Sequence, residues 1–166
     1  MKNLTALIAS LLTGLFLGFF VKIAYESNTV KPYAWNEPPI VLNCYGKKFS
    51  KLHMTRAIEC WAIRNHHFGS YIHNPDPEMC EKEWKEGYII IRIDETMSSE
   101  TLARTKRYTS LHKITGAVIK FKPKSFNLYL LNEHELGHAL GYSHVEKKGH
   151  VMHPIHESMG LDFYIN

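Results

Sequence analysis

Eleven residues, HELGHALGYSH at positions 134–144, restrict the folds open to this chain more than any other stretch. On a helix, residues four apart share a face, so His134 and His138 would present their imidazoles together, one turn apart. Two such nitrogens make half of a tetrahedral metal site. Gly141 can take a positive φ, and the turn it permits would bring His144 back to complete a three-histidine face with a fourth position open to water. Glu135 lies about 100° round the helix from His134, beside such an ion and not on it, within reach of that water. The competing reading is a structural zinc site. Those are usually closed by four protein ligands and rich in cysteine, whereas no cysteine lies near these histidines.

The rest of the chain has to supply a scaffold for that helix. PIVLNCYG, ending at Gly46, reads as a first strand, with the domain beginning near Ile40. From Ser50, a plausible N-cap, to about Asn65, the residues Met54, Ala57, Ile58, Trp61 and Ala62 fall at helical spacing. GYIIIRID is dense in β-branched residues and reads as a buried strand. TLARTKRY alternates and is charged, which suits an edge strand. TGAVIKF follows, with Ala117, Ile119 and Phe121 on one face and Val118 and Lys120 on the other. NLYLLNEHELGHALG then has a helical period and ends at a glycine that can act as a C-cap.

Two features lie outside this pattern. Residues 3–21 carry no charge and are flanked by Lys2 and Lys22, long enough to cross a bilayer and without a convincing small-x-small cleavage site. We expect residues 1–23 to be a membrane anchor or signal segment, 24–39, with Pro32, Pro38 and Pro39, a linker, and 40–166 one folded domain. Cys44, Cys60 and Cys80 all follow the anchor; one disulfide among them, with three possible pairings, suits an oxidising compartment. Net charge is +4, too mild for a nucleic-acid footprint, so no nucleic-acid partner is expected. Residues 101–124 nevertheless hold seven Lys or Arg and no acid, which we read as a solvated strand face.

The motif resembles that of the metzincin zinc endopeptidases, H-E-x-x-H-x-x-G-x-x-H followed by a methionine in a tight turn, and VMHP places Met152 in that setting. NLYLLNEHELGHALG and VMHP are most similar to the matrixin branch. The resemblance implies an α+β fold, a metzincin-like (zincin) catalytic domain with a twisted mixed sheet, two main helices and a very short C-terminal subdomain, preceded here by an N-terminal transmembrane helix. It implies one catalytic zinc ion held by His134, His138 and His144, Glu135 as general base, and Met152 as an apolar floor beneath the metal. The implied activity is zinc-dependent hydrolysis of peptide bonds in a protein or peptide substrate lying antiparallel to the edge strand of residues 102–108. The alternative from another class is a zinc-containing binding or assembly module without turnover, anchored to a membrane. The catalytic domain is expected on the extracytoplasmic side, or secreted if the leading segment is removed.

The chain departs from the family pattern at Val145, where matrixins usually carry serine, and at Pro154, where astacins and serralysins use tyrosine. We find no structural-zinc pattern, calcium loop or cysteine-switch segment. The sequence after Met152 leaves room for a turn or two, and this tail is expected to form one wall of the cleft. Of the remaining histidines, His66 with His67 and His150 with His153 and His156 are read as solvated, not as a second metal site, with His153 expected to border the cleft. Trp61, Phe121, Tyr129 and Tyr142 are read as packing residues.

Overall fold

The computed structural model describes residues 34–162. The run at 3–21 read as a membrane anchor lies outside the described residues, and among these no helix is long and apolar enough to cross a membrane. Six strands form one mixed sheet: β1 (Ala34–Trp35), β2 (Ile40–Asn43), β3 (Tyr71–Ile72), β4 (Tyr88–Ile93), β5 (Ala103–Ser110) and β6 (Lys113–Phe121). β3, β2, β4 and β6 pair in parallel in that order, and β5 runs antiparallel along β6. β5 pairs with no other described strand, in agreement with the edge position its charge suggested. Ala34 and Trp35, in the stretch read as linker, pair with Lys113 and Ile114, and the Trp35 indole donates to the Ala139 carbonyl at 2.9 Å.

Helix α1 (Lys51–Ala62) starts where the cap residue predicts: Ser50 Oγ accepts from His53 N–H at 3.2 Å. Its buried stripe is Met54, Ala57 and Trp61, and the chain leaves the helix through Asn65 at a φ of 65°. The second helix, α2 (Leu131–Ala139), is shorter than its sequence pattern suggests. Residues 125–127 form a separate 3-10 turn, and Leu130 at a φ of 61° separates it from the helix. The cause is local bonding that competes with a longer helix: Ser125 Oγ donates to the Leu102 and Lys122 carbonyls, and Asn132 Nδ2 donates to the Phe126 carbonyl. Leu128 and Tyr129 are left exposed.

The sheet packs one face on the helices. Val41, Ile89, Ile91, Ala117, Ile119 and Phe121 meet the buried residues of α1 and α2. The other face of the central strands carries Leu42, Ile90 and Val118, covered in part by Tyr88, Tyr108 and Met79. With both faces covered along its middle, β4 reads as an apolar run over Ile89, Ile90 and Ile91, and the run ends at Arg92 and the exposed Ile93, where the cover stops. The cover over the second face is held by the Cys44–Cys80 disulfide, one of the three pairings open at the outset, while Cys60 remains a free thiol. Burial pushes the Cys60 thiol up in pKa, which disfavours its reactive thiolate.

The disulfide joins residues 36 apart. Replacing both cysteines, Cys44→Ser with Cys80→Ser, is expected to cost about 2–4 kcal/mol of stability by releasing the denatured chain. Urea denaturation measures this; an unchanged midpoint would show that the cover is held by packing alone.

Candidate metal centre and cleft

The face predicted from residues 134–144 is assembled by one helix and one turn. His134 and His138 project from α2 one turn apart, and Gly141 at a φ of 110° ends the helix in a conformation that a side chain would strain. The loop then brings His144 to the same point, so that one nitrogen from each ring lies within 4.8 Å of the others. The Nε2 atoms of His138 and His144 are 3.1 Å apart. Two nitrogens bound to a tetrahedral zinc would be about 3.3 Å apart, so the spacing suits that ion.

Backbone carbonyls orient the rings. His134 Nδ1–H donates to the Val151 carbonyl at 2.8 Å and His138 Nδ1–H to the Tyr142 carbonyl at 2.9 Å. Each bond leaves Nε2 as the lone-pair nitrogen of its ring. Burial pushes the His134 imidazole down to about 3, with His138 adding to the effect and the Val151 carbonyl opposing it. His138 is lowered as well, chiefly by burial. Both rings are therefore held neutral, as metal ligation requires. Three imidazole nitrogens without a carboxylate among them form a donor set for zinc, not for calcium or magnesium.

Glu135 is 4% exposed and sits beside this face. Thr105 on β5 donates from Oγ1 to Glu135 Oε2 at 2.5 Å. Burial pushes the Glu135 carboxyl up to about 7, and the Thr105 bond pulls the other way. Arg107, two residues further along β5, donates to the carbonyls of His138 at 3.0 Å and Tyr142 at 3.4 Å, setting a cation at the C-terminal end of α2. Sequence reasoning singled out neither residue as a partner of the site. The available signal was the alternation of ARTKRY: Thr105 and Arg107 pair with Ile119 and Ala117, which face the helices.

A cleft of about 660 Å³ opens over the site. Ala103 and Thr105 line one side, and Pro154, Ile155 and Met159 line another, the wall expected of the tail. His156 also lines the cleft, whereas His153, expected at its border, is buried with Nδ1 accepting from Ile155 N–H at 3.0 Å. The tight turn after Met152 folds His153 back on its own backbone and carries His156 forward. His66 bonds the Tyr142 hydroxyl at 2.7 Å, His150 Nδ1 accepts from Met152 N–H, and His156 Nε2–H donates to the Tyr129 carbonyl. Among the described residues none of these forms a second group of three or more metal donors.

Met152 is fully buried, and its turn is bonded to both arms of the histidine face. Its own carbonyl accepts from Val145 N–H at 2.9 Å, and the preceding carbonyl is the one that holds His134. Gly137, between the two helical histidines, explains how the turn comes so close. A Cβ there would overlap the Met152 sulfur and come 2.6 Å from the Trp61 ring.

A peptidase family model described as Matrixin matches residues 46–163. No curated protein matches the chain. The matched residues include the Gly137 contact, where Gly137→Ala is expected to cost about 1–3 kcal/mol through overpacking. Chemical denaturation in chelator isolates this from any effect on metal; a midpoint equal to the parent's would mean that Met152 can move aside freely.

Proposed function

The chain belongs to the matrixin family of zinc-dependent peptidases, and from that premise we propose an endopeptidase in which His134, His138 and His144 hold one catalytic zinc and Glu135 is the general base. The observation that carries this reading is the meeting of three imidazole donors with a buried carboxyl group in one open cleft. Met152, packed on Gly137 beneath the helix, is the apolar floor in this reading. Zinc, when bound, supplies the Lewis acidity that activates water at neutral pH and polarises a peptide carbonyl. Glu135 does the proton work. Because Thr105 occupies Oε2, Oε1 takes the proton of the attacking water and returns it to the nitrogen of the leaving amine. Arg107 and the Tyr142 carbonyl keep the end of α2, and with it His138, in position.

The substrate has a strand edge to pair with. Lys122 N–H donates to the Leu102 carbonyl at 3.0 Å, and bonded pairs in an antiparallel ladder recur at every second residue. Arg104 and Lys106 therefore turn their backbone groups toward β6, while Ala103, Thr105 and Arg107 turn theirs outward. A peptide laid antiparallel on β5 meets those free groups and crosses the metal centre. As to location, the uncharged run at 3–21 and a disulfide suited to an oxidising compartment support a membrane-attached protein with its domain outside the cytoplasm.

Glu135→Ala should abolish cleavage of a mixed peptide library while zinc stoichiometry stays at one per chain, and Thr105→Val should lower kcat about tenfold with KM little changed. A chelator should remove the parent's activity and added zinc restore it. One bound zinc with no chelator-sensitive cleavage by the parent would instead favour the binding-module alternative. Alkaline extraction of membranes tests location: the chain is expected to stay in the pellet, and release of a product lacking its first two dozen or so residues would indicate a secreted protein.

A further inference from the structure

The two faces of β5 differ in chemistry. Thr105 and Arg107 face the metal centre, while Arg104 and Lys106 face the opposite side and are exposed. On that outer face the pairing register sets Arg92 beside Lys120 and Lys120 beside Arg104, one cation on each of three adjacent strands. Lys106 stands two residues along from Arg104. Like charges directly opposite one another destabilise a sheet, so fold stability does not account for this row.

Two carboxylates reach the four cations: Asp94 bonds Arg104 at 3.2 Å and Glu83 approaches Lys120 at 3.7 Å. Arg92 is spent on the backbone carbonyls of Cys80 and Lys82, and Lys106 lies over the Tyr108 ring at 4.9 Å. Between them is a recess of about 390 Å³ lined by Glu83, Arg104, Lys106, Val118 and Lys120, with Thr105 between the two β5 cations. The recess opens beside the strand edge that the proposed substrate would pair with.

We propose that this outer face makes Arg104 and Lys106, backed by Lys120, specificity determinants for substrates with acidic side chains at two positions two residues apart. The inference rests on the reading that a peptide pairs with β5. In such a pair, residues directly opposite share a face, and those facing Arg104 and Lys106 fall at non-hydrogen-bonded positions where side chains are closest. Acidic side chains there supply the charge that the row lacks. The substrate residue between them turns into the cleft, whose lining includes Glu100 and Glu157, so an acidic group gains nothing at that position.

The test uses the full zinc-loaded chain and one cleavable peptide from the library, carrying a Glu-x-Glu or Gln-x-Gln pair stepped along its length. At one register the Glu form should show kcat/KM about tenfold above the Gln form at low salt, mainly through KM, with the gain shrinking near about 0.5 M salt. Moving the pair by one residue should cancel it. In Arg104→Gln with Lys106→Gln the ratio should fall to about one, and Lys120→Gln should lower it in part. A ratio near one at every register in the parent, or a ratio that survives the double substitution, overturns the proposal. If no peptide is cleaved, the endopeptidase reading fails separately. Fluorescence anisotropy of the same peptides on Glu135→Ala then decides: tighter Glu-x-Glu binding, lost on the double substitution, upholds the basic face, and equal binding rejects it.

Discussion

Met152 and Trp61 press against the backbone of α2 at Gly137, and the placing of the three histidines follows from that contact. Trp61 comes from α1 and donates its indole N–H to the Glu133 carbonyl at 2.7 Å. Its ring lies 5.0 Å from that of Tyr142, whose carbonyl holds His138. Met152 comes from the turn whose preceding carbonyl holds His134. One missing side chain thus lets a helix, a loop and a turn converge closely enough for their backbone groups to orient two of the three imidazoles. A zinc site on a surface helix would lack this control, because its ring nitrogens would exchange partners with water.

The same convergence explains an unusual helix. Eight of the nine residues of α2 are buried, Asn132, Glu133, His134 and Glu135 among them, so the helix has no solvent face to make it amphipathic. Burial of that many polar groups holds only where they find partners. Asn132 Nδ2 bonds the Phe126 carbonyl, Glu133 Oε1 bonds Arg56 on α1 at 3.1 Å, and Glu135 Oε2 bonds Thr105 on β5, while Asn132 Oδ1 and Glu133 Oε2 are buried without a hydrogen-bond partner among the described residues. Removing Arg56, whose own side chain is half exposed, would strand the buried Glu133 carboxylate, so the pair is better read as fixing how the two helices sit than as a source of stability.

β5 links the chemistry to recognition. As an edge strand it has a free line of backbone groups, and as a strand it turns alternate side chains to opposite sides. Its inner residues hold the carboxylate and the end of α2, and its outer residues extend a row of cations across the sheet. One element therefore positions the reacting groups and presents a charged surface to whatever pairs with it.

Much of this was legible in the sequence because it depends on spacing along one element. The Ser50 cap, the stripe of α1, the apolar run of β4 and the grouping of His134, His138 and His144 through Gly141 are consequences of helical and strand periods, which local sequence states directly. The family resemblance rests on the same local motif with Met152 eight residues beyond it. What depends on pairing across the chain was not legible. The bond from Thr105 to Glu135, the choice of Cys44 with Cys80, the exchange of His153 for His156 at the cleft, and the alignment of Arg92, Lys120 and Arg104 all join distant segments. Their register is set by which strands lie side by side, so a residue's type announces its chemistry while only the tertiary structure decides which partner it meets. Gly137 shows the division most plainly: the sequence marks a helix position with no side chain, and only the packed structure shows the sulfur and the ring that fill its place.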